Sequence, residues 1–195
     1  MYKEKQFTIP PLKGISQKNI DEHLKLYAGY VKNTNLILSE LATNKSTEIE
    51  AQYSASELQR RLSFEFDGMR NHEYYFSSFE GGASPLNSEG KLYQAIEQQW
   101  GSFDEWLTQF KKLAMTRGVG WAILYHDTQS GNLLNAWIEE QHLGHLVGLT
   151  PVLTLDMWEH AYVYDFPTSE KKSYVEAFFE NINWNVIEHN FKSHE

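Results

Sequence analysis

Residues 80–90 read EGGASPLNSEG, and the chain is a different kind of sequence on either side of them. Glycine, proline and serine crowd this stretch, and a run of that composition continues neither a helix nor a strand. Before it, the pattern is helical. IPPLKG (9–14) leads in, Ser16 stands where an N-cap belongs, and Ile20, Leu24, Tyr27, Val31 and Leu38 recur at helical spacing. After the polar break TNKSTEIE (43–50), a second long helix is predicted from about Ser54 to Phe79. Two long helices with a short connection form an antiparallel hairpin.

Beyond residue 90 the grammar changes. A helix is predicted over about 89–99, and a second, capped by Ser102, runs to about Arg117. VGWAILYHD (119–127), the turn TQSGN (128–132) and LLNAWIEE (133–140) read as a β-hairpin. GLTPVLTLD (148–156) is a third strand, and Pro151 assigns it to a sheet edge or a strand start. Short helices are predicted at about 168–181 and 184–192. The expected fold class is α+β: a helical hairpin domain over 1–81, then an α/β domain over 82–195 with a three-stranded antiparallel sheet and surrounding helices.

The 195 residues contain no cysteine, which excludes disulfides, zinc–thiolate sites and iron–sulfur clusters. Any metal must be held by His, Asp or Glu. The net charge of −9 argues against nucleic acid as a partner and means that an anionic ligand needs a local positive field. The apolar runs are too short to span a membrane. The first residues, MYKEKQFTIPPLKG, do not read as a secretory signal, so a cytoplasmic location is expected.

Candidate chemistry begins at DMWEHAY (156–162), where Asp156 and His160 stand four apart among large aromatic and thioether side chains. Ionisable groups in such surroundings need a partner. His23 and His72 also lie in apolar contexts. Any one of them alone reads as a hydrogen-bonded core histidine. An antiparallel hairpin, however, brings one His from each helix side by side, and Asp156 and His160 can complete a site of three imidazoles and one carboxylate. That donor set suits Fe, Mn or Zn and leaves a coordination position open for chemistry. His126, His189 and His194 stand in polar contexts and are expected in solvent, as is His145; Trp106, Trp121 and Trp184 read as core or interface fillers.

With these residues in view, the chain resembles the iron/manganese superoxide dismutases from about residue 7 to 192. DMWEHAY is similar to that family's signature, NHEYYF (71–76) to its second-helix ligand motif, and GSFDEW (101–106) and INW (182–184) to further family segments. The resemblance implies one Fe or Mn ion per chain, held by His23, His72, Asp156 and His160 and completed by solvent. The ion would alternate between trivalent and divalent states, taking an electron from one superoxide to release O2 and giving one to a second, which leaves as H2O2. Tyr30 would be the gateway to the substrate channel, with Trp158 and Phe76 as pocket wall. Glu159 would reach the partner subunit's His160 in a homodimer, with Tyr162 and Tyr27 at the same interface.

The sequence departs from the family pattern at four places. Many iron enzymes carry, four residues before the second-helix His, a Gln that hydrogen-bonds the metal-bound solvent and tunes the metal; here that position is Gly68. The partner must then come from EEQHLGH (139–145), with His142 preferred and Gln141 as the alternative. Only seven residues separate His23 from Tyr30, one fewer than in familiar members. An undeleted register would put Glu22 at the ligand position, and His23 is preferred because it accounts for an apolar-flanked imidazole. A π-bulge in the first helix is therefore expected to be absent. Finally, a common pocket Trp is replaced by Val119, and Phe76 stands for another. Lys171 is either a channel cation or an ordinary surface lysine. The competing functions are another mononuclear non-haem metalloenzyme, an oxygenase or hydrolase on the same ligands, and a non-enzymatic structural family member.

Overall fold

The fold is taken from a computed structural model, which describes residues 1–43 and 48–192. Helix α1 spans Gln17–Thr43 and α2 spans Ile49–Ser77. Ser16 does cap α1: its Oγ accepts the Asn19 N–H at 3.2 Å. The buried stripe of α1 is Ile20, His23, Tyr27, Val31, Thr34 and Ile37, so Ile37 rather than Leu38 closes it. The helix is α-helical throughout, without a π-bulge. Helix α2 starts five residues before the expected Ser54, because Ile49, Glu50, Ala51, Gln52 and Tyr53 join it, with Glu50 placed favourably in the first turn. Residues 44–47 of the expected break lie outside the described residues.

The rest of the chain supplies α3 (Lys91–Trp100), α4 (Phe103–Ala114), β1 (Gly120–His126), β2 (Leu133–Glu139), β3 (Thr150–Asp156), two 3₁₀ turns (Glu159–Ala161 and Thr168–Glu170), α5 (Lys171–Asn181) and α6 (Trp184–Lys192). The Ser102 Oγ accepts the Glu105 N–H at 3.1 Å, capping α4. That helix has Asp104 and Glu105 in its first turn and Lys111 and Lys112 in its last, matching its dipole. It ends three residues before the expected Arg117.

The three strands form one antiparallel sheet in the order β2-β1-β3. The central β1 is buried along its whole length. Pro151 lies near the start of the edge strand β3, where a missing N–H is tolerated. Helix α2 packs on β3, and α1 packs on the 3₁₀ turn at Glu159–Ala161. Aromatic stacking binds α2 to α5, with the Tyr75 and Phe178 rings 5.7 Å apart and nearly parallel. His126 is not in solvent: it is buried against Phe191, ring centroids 4.4 Å apart. His194 lies outside the described residues. Among the described residues, no helix is long and apolar enough to cross a membrane.

Candidate metal centre

Four elements deliver the candidate ligands. His23 comes from the buried stripe of α1, His72 from α2, Asp156 from the last position of β3 and His160 from the 3₁₀ turn that follows. Asp156 pairs across the sheet with Trp121, and the Met157 N–H donates to the Gly120 carbonyl, which fixes where the strand ends. The Trp158 N–H then donates to Asp156 Oδ1 at 2.8 Å. This bond aims the other oxygen, Oδ2, at the histidines. His23 Nε2 and His160 Nε2 each lie 3.1 Å from Oδ2, and His72 Nε2 lies 3.6 Å away. All four donor atoms fall within 4.8 Å of one another.

His72 tests whether a cation fits. Its Nδ1 is 2.6 Å from the Gly68 carbonyl, so the ring proton belongs on Nδ1 and is donated there. Nε2 is left with a lone pair, fully buried and without a hydrogen-bond partner, and it faces a carboxylate oxygen. Two electron-rich atoms held toward each other in a buried site lack only a cation between them. The nitrogen-and-oxygen donor set, with no thiolate, suits Fe, Mn or Zn.

Burial sets the electrostatics. It lowers His23 to about 4, against the opposing hydrogen bond to Asp156. Burial, and then the neighbouring His23, hold His72 well below the usual histidine range. Neutral imidazoles are the form that binds metal. For Asp156, burial pushes the carboxyl upward, but His160 and His23 outweigh it and hold the group below the usual carboxylate range.

Aromatic side chains close the site. The His23 ring stands 4.8 Å from Phe76, His72 stands 5.0 Å from Trp121, and Trp158 stacks on His160 at 5.7 Å. Phe76 and Trp158 thus each pack against a ligand ring. Trp121, expected as a core filler, is also a wall, whereas Val119 contributes its backbone carbonyl to the Glu140 N–H. The signal for Trp121 was available in strand alternation: it shares a face of β1 with Ile123 and Tyr125. The Tyr30 ring lies 5.0 Å from His72. Burial, and then the Asp156 charge, raise the Tyr30 phenol, so it keeps its proton at neutral pH.

The residue beside Tyr30 is Gln141, not the preferred His142. Gln141 is wholly buried; its Nε2 donates to Tyr30 Oη at 3.0 Å, and its Oε1 accepts the Trp121 indole N–H at 2.9 Å. His142 instead packs its ring against Phe64 at 5.6 Å. The reason is local. Glu140, with φ 51°, is in the left-handed region, unusual for a residue with a Cβ. This residue breaks the strand alternation just before Gln141.

Two expected interface residues are interior. Tyr27 is fully buried, donating its hydroxyl to Glu73 Oε1 at 3.2 Å and accepting the Lys5 N–H at 2.8 Å. Tyr162 is buried against Tyr174, rings 5.2 Å apart. Glu159 is exposed and His160 retains 20 % side-chain exposure. His145, expected at the surface, is half-buried and hydrogen-bonded, and Lys171 donates to the Thr116 carbonyl at 3.1 Å.

Comparison with known proteins agrees with this geometry. Residues 88–190 match the profile of the iron/manganese superoxide dismutases, C-terminal domain. The chain is 35 % identical to the Fe superoxide dismutase of Cupriavidus metallidurans, over 94 % of this chain and 93 % of that protein. It is 34 % identical to the Fe superoxide dismutase of Aquifex pyrophilus, over 93 % and 86 %. With the Mn superoxide dismutase of Mycolicibacterium smegmatis it shares 33 % identity, over 90 % and 83 %. The chain belongs to the iron/manganese superoxide dismutase family.

Proposed function

We propose that this chain disproportionates superoxide to O2 and H2O2 with one Fe or Mn ion, held by His23 Nε2, His72 Nε2, Asp156 Oδ2 and His160 Nε2. The observation that carries the reading is the convergence of three imidazoles on one carboxylate oxygen, with the lone pair of His72 lacking any other partner. When bound, the ion supplies one-electron chemistry, accepting an electron in its trivalent state and returning one from its divalent state.

The chain's own residues do the rest. Trp158 N–H orients Asp156, and Gly68 O orients His72. Phe76, Trp121 and Trp158 pack against the ligand rings and screen them from bulk water, and the relatives, all named superoxide dismutases, disfavour an oxygenase or hydrolase. A full ligand set disfavours a purely structural role. Making H2O2 takes two protons. Tyr30 Oη accepts from Gln141 Nε2, which leaves the phenol O–H available as a proton donor. Gln141, through Tyr30, is the group that tunes the reduction potential.

The same reading includes a cytoplasmic homodimer, with Glu159 and the exposed edge of His160 at the contact and with Val163 and Tyr164 as exposed apolar neighbours. Light scattering reads the mass directly, and a monomer at micromolar concentration would remove the dimer. The activity is tested by loading the purified chain with Fe or Mn, measuring metal per chain and following superoxide decay. Full metal loading without accelerated decay would sink the assignment.

A further inference from the structure

Gln141 is gripped from behind as well as from the site. Its carbonyl accepts the Asn71 Nδ2–H at 3.0 Å and faces His145 Nε2 at 3.2 Å. On its far side, His145 Nδ1 lies 2.6 Å from Tyr125 Oη. A phenol is the better donor and an imidazole nitrogen the better acceptor, so Tyr125 donates to Nδ1. With Tyr125 as donor the ring proton is assigned to Nε2, which donates to the Gln141 carbonyl; Asn71 Nδ2, although 3.3 Å from Nε2, then donates to that carbonyl, its shorter contact. Both lone pairs of that carbonyl are in use.

Tyr125 and Trp121 share one face of β1. That strand therefore holds Gln141 twice, by its side-chain oxygen through Trp121 and by its main chain through Tyr125 and His145. The double hold matters because the segment is under load. Glu140, a residue with a Cβ, is in the left-handed region. The chain closes on itself through paired Glu139–Leu143 backbone bonds at 2.9 and 3.1 Å. A strained turn persists only where its surroundings over-determine it.

We propose that Tyr125 and His145 form a brace that fixes the aim of Gln141 at Tyr30, and so act as positioning residues for the potential of the bound metal. This rests on the reading of Gln141 as the tuning group. Neither residue touches the four donor atoms, so removing the brace changes tuning without removing a ligand.

The test compares Tyr125→Phe, His145→Leu, His145→Gln and Gln141→Ala with the unaltered protein. In metal-free protein, the hydrogen exchange of the Trp121 indole N–H is read by NMR. In Fe-loaded protein, the reduction potential and the metal content are read. Tyr125→Phe and His145→Leu are expected to speed the indole exchange about tenfold, the equivalent of one weakened hydrogen bond. Both should also move the potential in the direction that Gln141→Ala moves it, at unchanged metal content. His145→Gln, whose amide still reaches the carbonyl, should restore both readings. Unaltered exchange and potential in Tyr125→Phe and His145→Leu, with a shifted potential in Gln141→Ala, would overturn the brace alone. An unaltered potential in Gln141→Ala would overturn the reading on which the brace rests.

Discussion

Tyr30 lies directly against the backbone of Gly68: a Cβ built at position 68 would stand 2.6 Å from Tyr30 Cδ1 and 2.7 Å from Cε1. The glycine is thus more than a missing side chain. The ring of Tyr30 occupies the space that any side chain at position 68 would need.

Gly68→Ala should therefore displace Tyr30 and break its hydrogen bond from Gln141. Alanine is the better helix former by about 1 kcal/mol, but an overpacked core loses about 1–3 kcal/mol. A lowered Tm and a lower rate per bound metal are expected. An unchanged rate with a raised Tm would show that Tyr30 moves aside without consequence.

Gln141→Ala leaves the buried Trp121 indole N–H without its acceptor, at a cost of about 1–3 kcal/mol. His142→Ala removes a ring packed on Phe64 and a neighbour of Asp67, but no hydrogen bond to Tyr30 or Trp121. Urea denaturation and reduction potentials should both respond more strongly to Gln141→Ala. A larger response to His142→Ala would reverse the geometric assignment.

His160→Ala removes one of the four donors while leaving the rest of the 3₁₀ turn in place. Changes to outer partners of metal ligands cost about 10–100-fold in metal affinity, and loss of a ligand should exceed that. Elemental analysis after dialysis should find the variant largely metal-free. Retention of metal at one equivalent per chain would remove His160 from the site.

Asp67 offers a pH dependence outside the ligand set. Burial raises its carboxyl to about 6, with His142 opposing. The folded chain then holds a proton between pH 3.8 and about 6 that the unfolded chain has released, so this group's contribution to stability falls as pH rises through that window. Asp67→Asn should stabilise the protein at pH 7.5 by no more than about 1 kcal/mol, since the group is partly solvated, and the gain should vanish near pH 4. Melting curves at the two pH values read the difference; an equal effect at both would exclude the ionisation as its cause.

How much of this was legible in the sequence depends on the element. The hairpin and the three strands follow from periodicity and the break at 80–90, because each is a local pattern; the four donors lie on separate segments, and no single short pattern contains them all. That Gln141 rather than His142 stands beside Tyr30 was not legible. Alternation counts faces along a strand, and Glu140 leaves the strand region just before the decisive residue. Tyr27 and Tyr162, expected at an interface, are buried within the chain, and the sequence concealed that for a different reason. An aromatic on a helix or turn satisfies an interface and a core equally well, and only the packing of Phe7 and Tyr174 against them decides. His145 and Tyr125 are twenty residues apart, and no spacing rule joins them.

The donors from α1 and β3 are 133 residues apart in the chain. A bound ion would therefore act as a cross-link closing a very long loop, and in the chain-entropy account such a link is worth on the order of 5 kcal/mol against the unfolded state. Loss of the ion would then loosen the hairpin from the sheet as well as silence the chemistry. A stalled or emptied enzyme would be the one that exposes its midsection to proteases, which couples the lifetime of the protein to its cargo of metal.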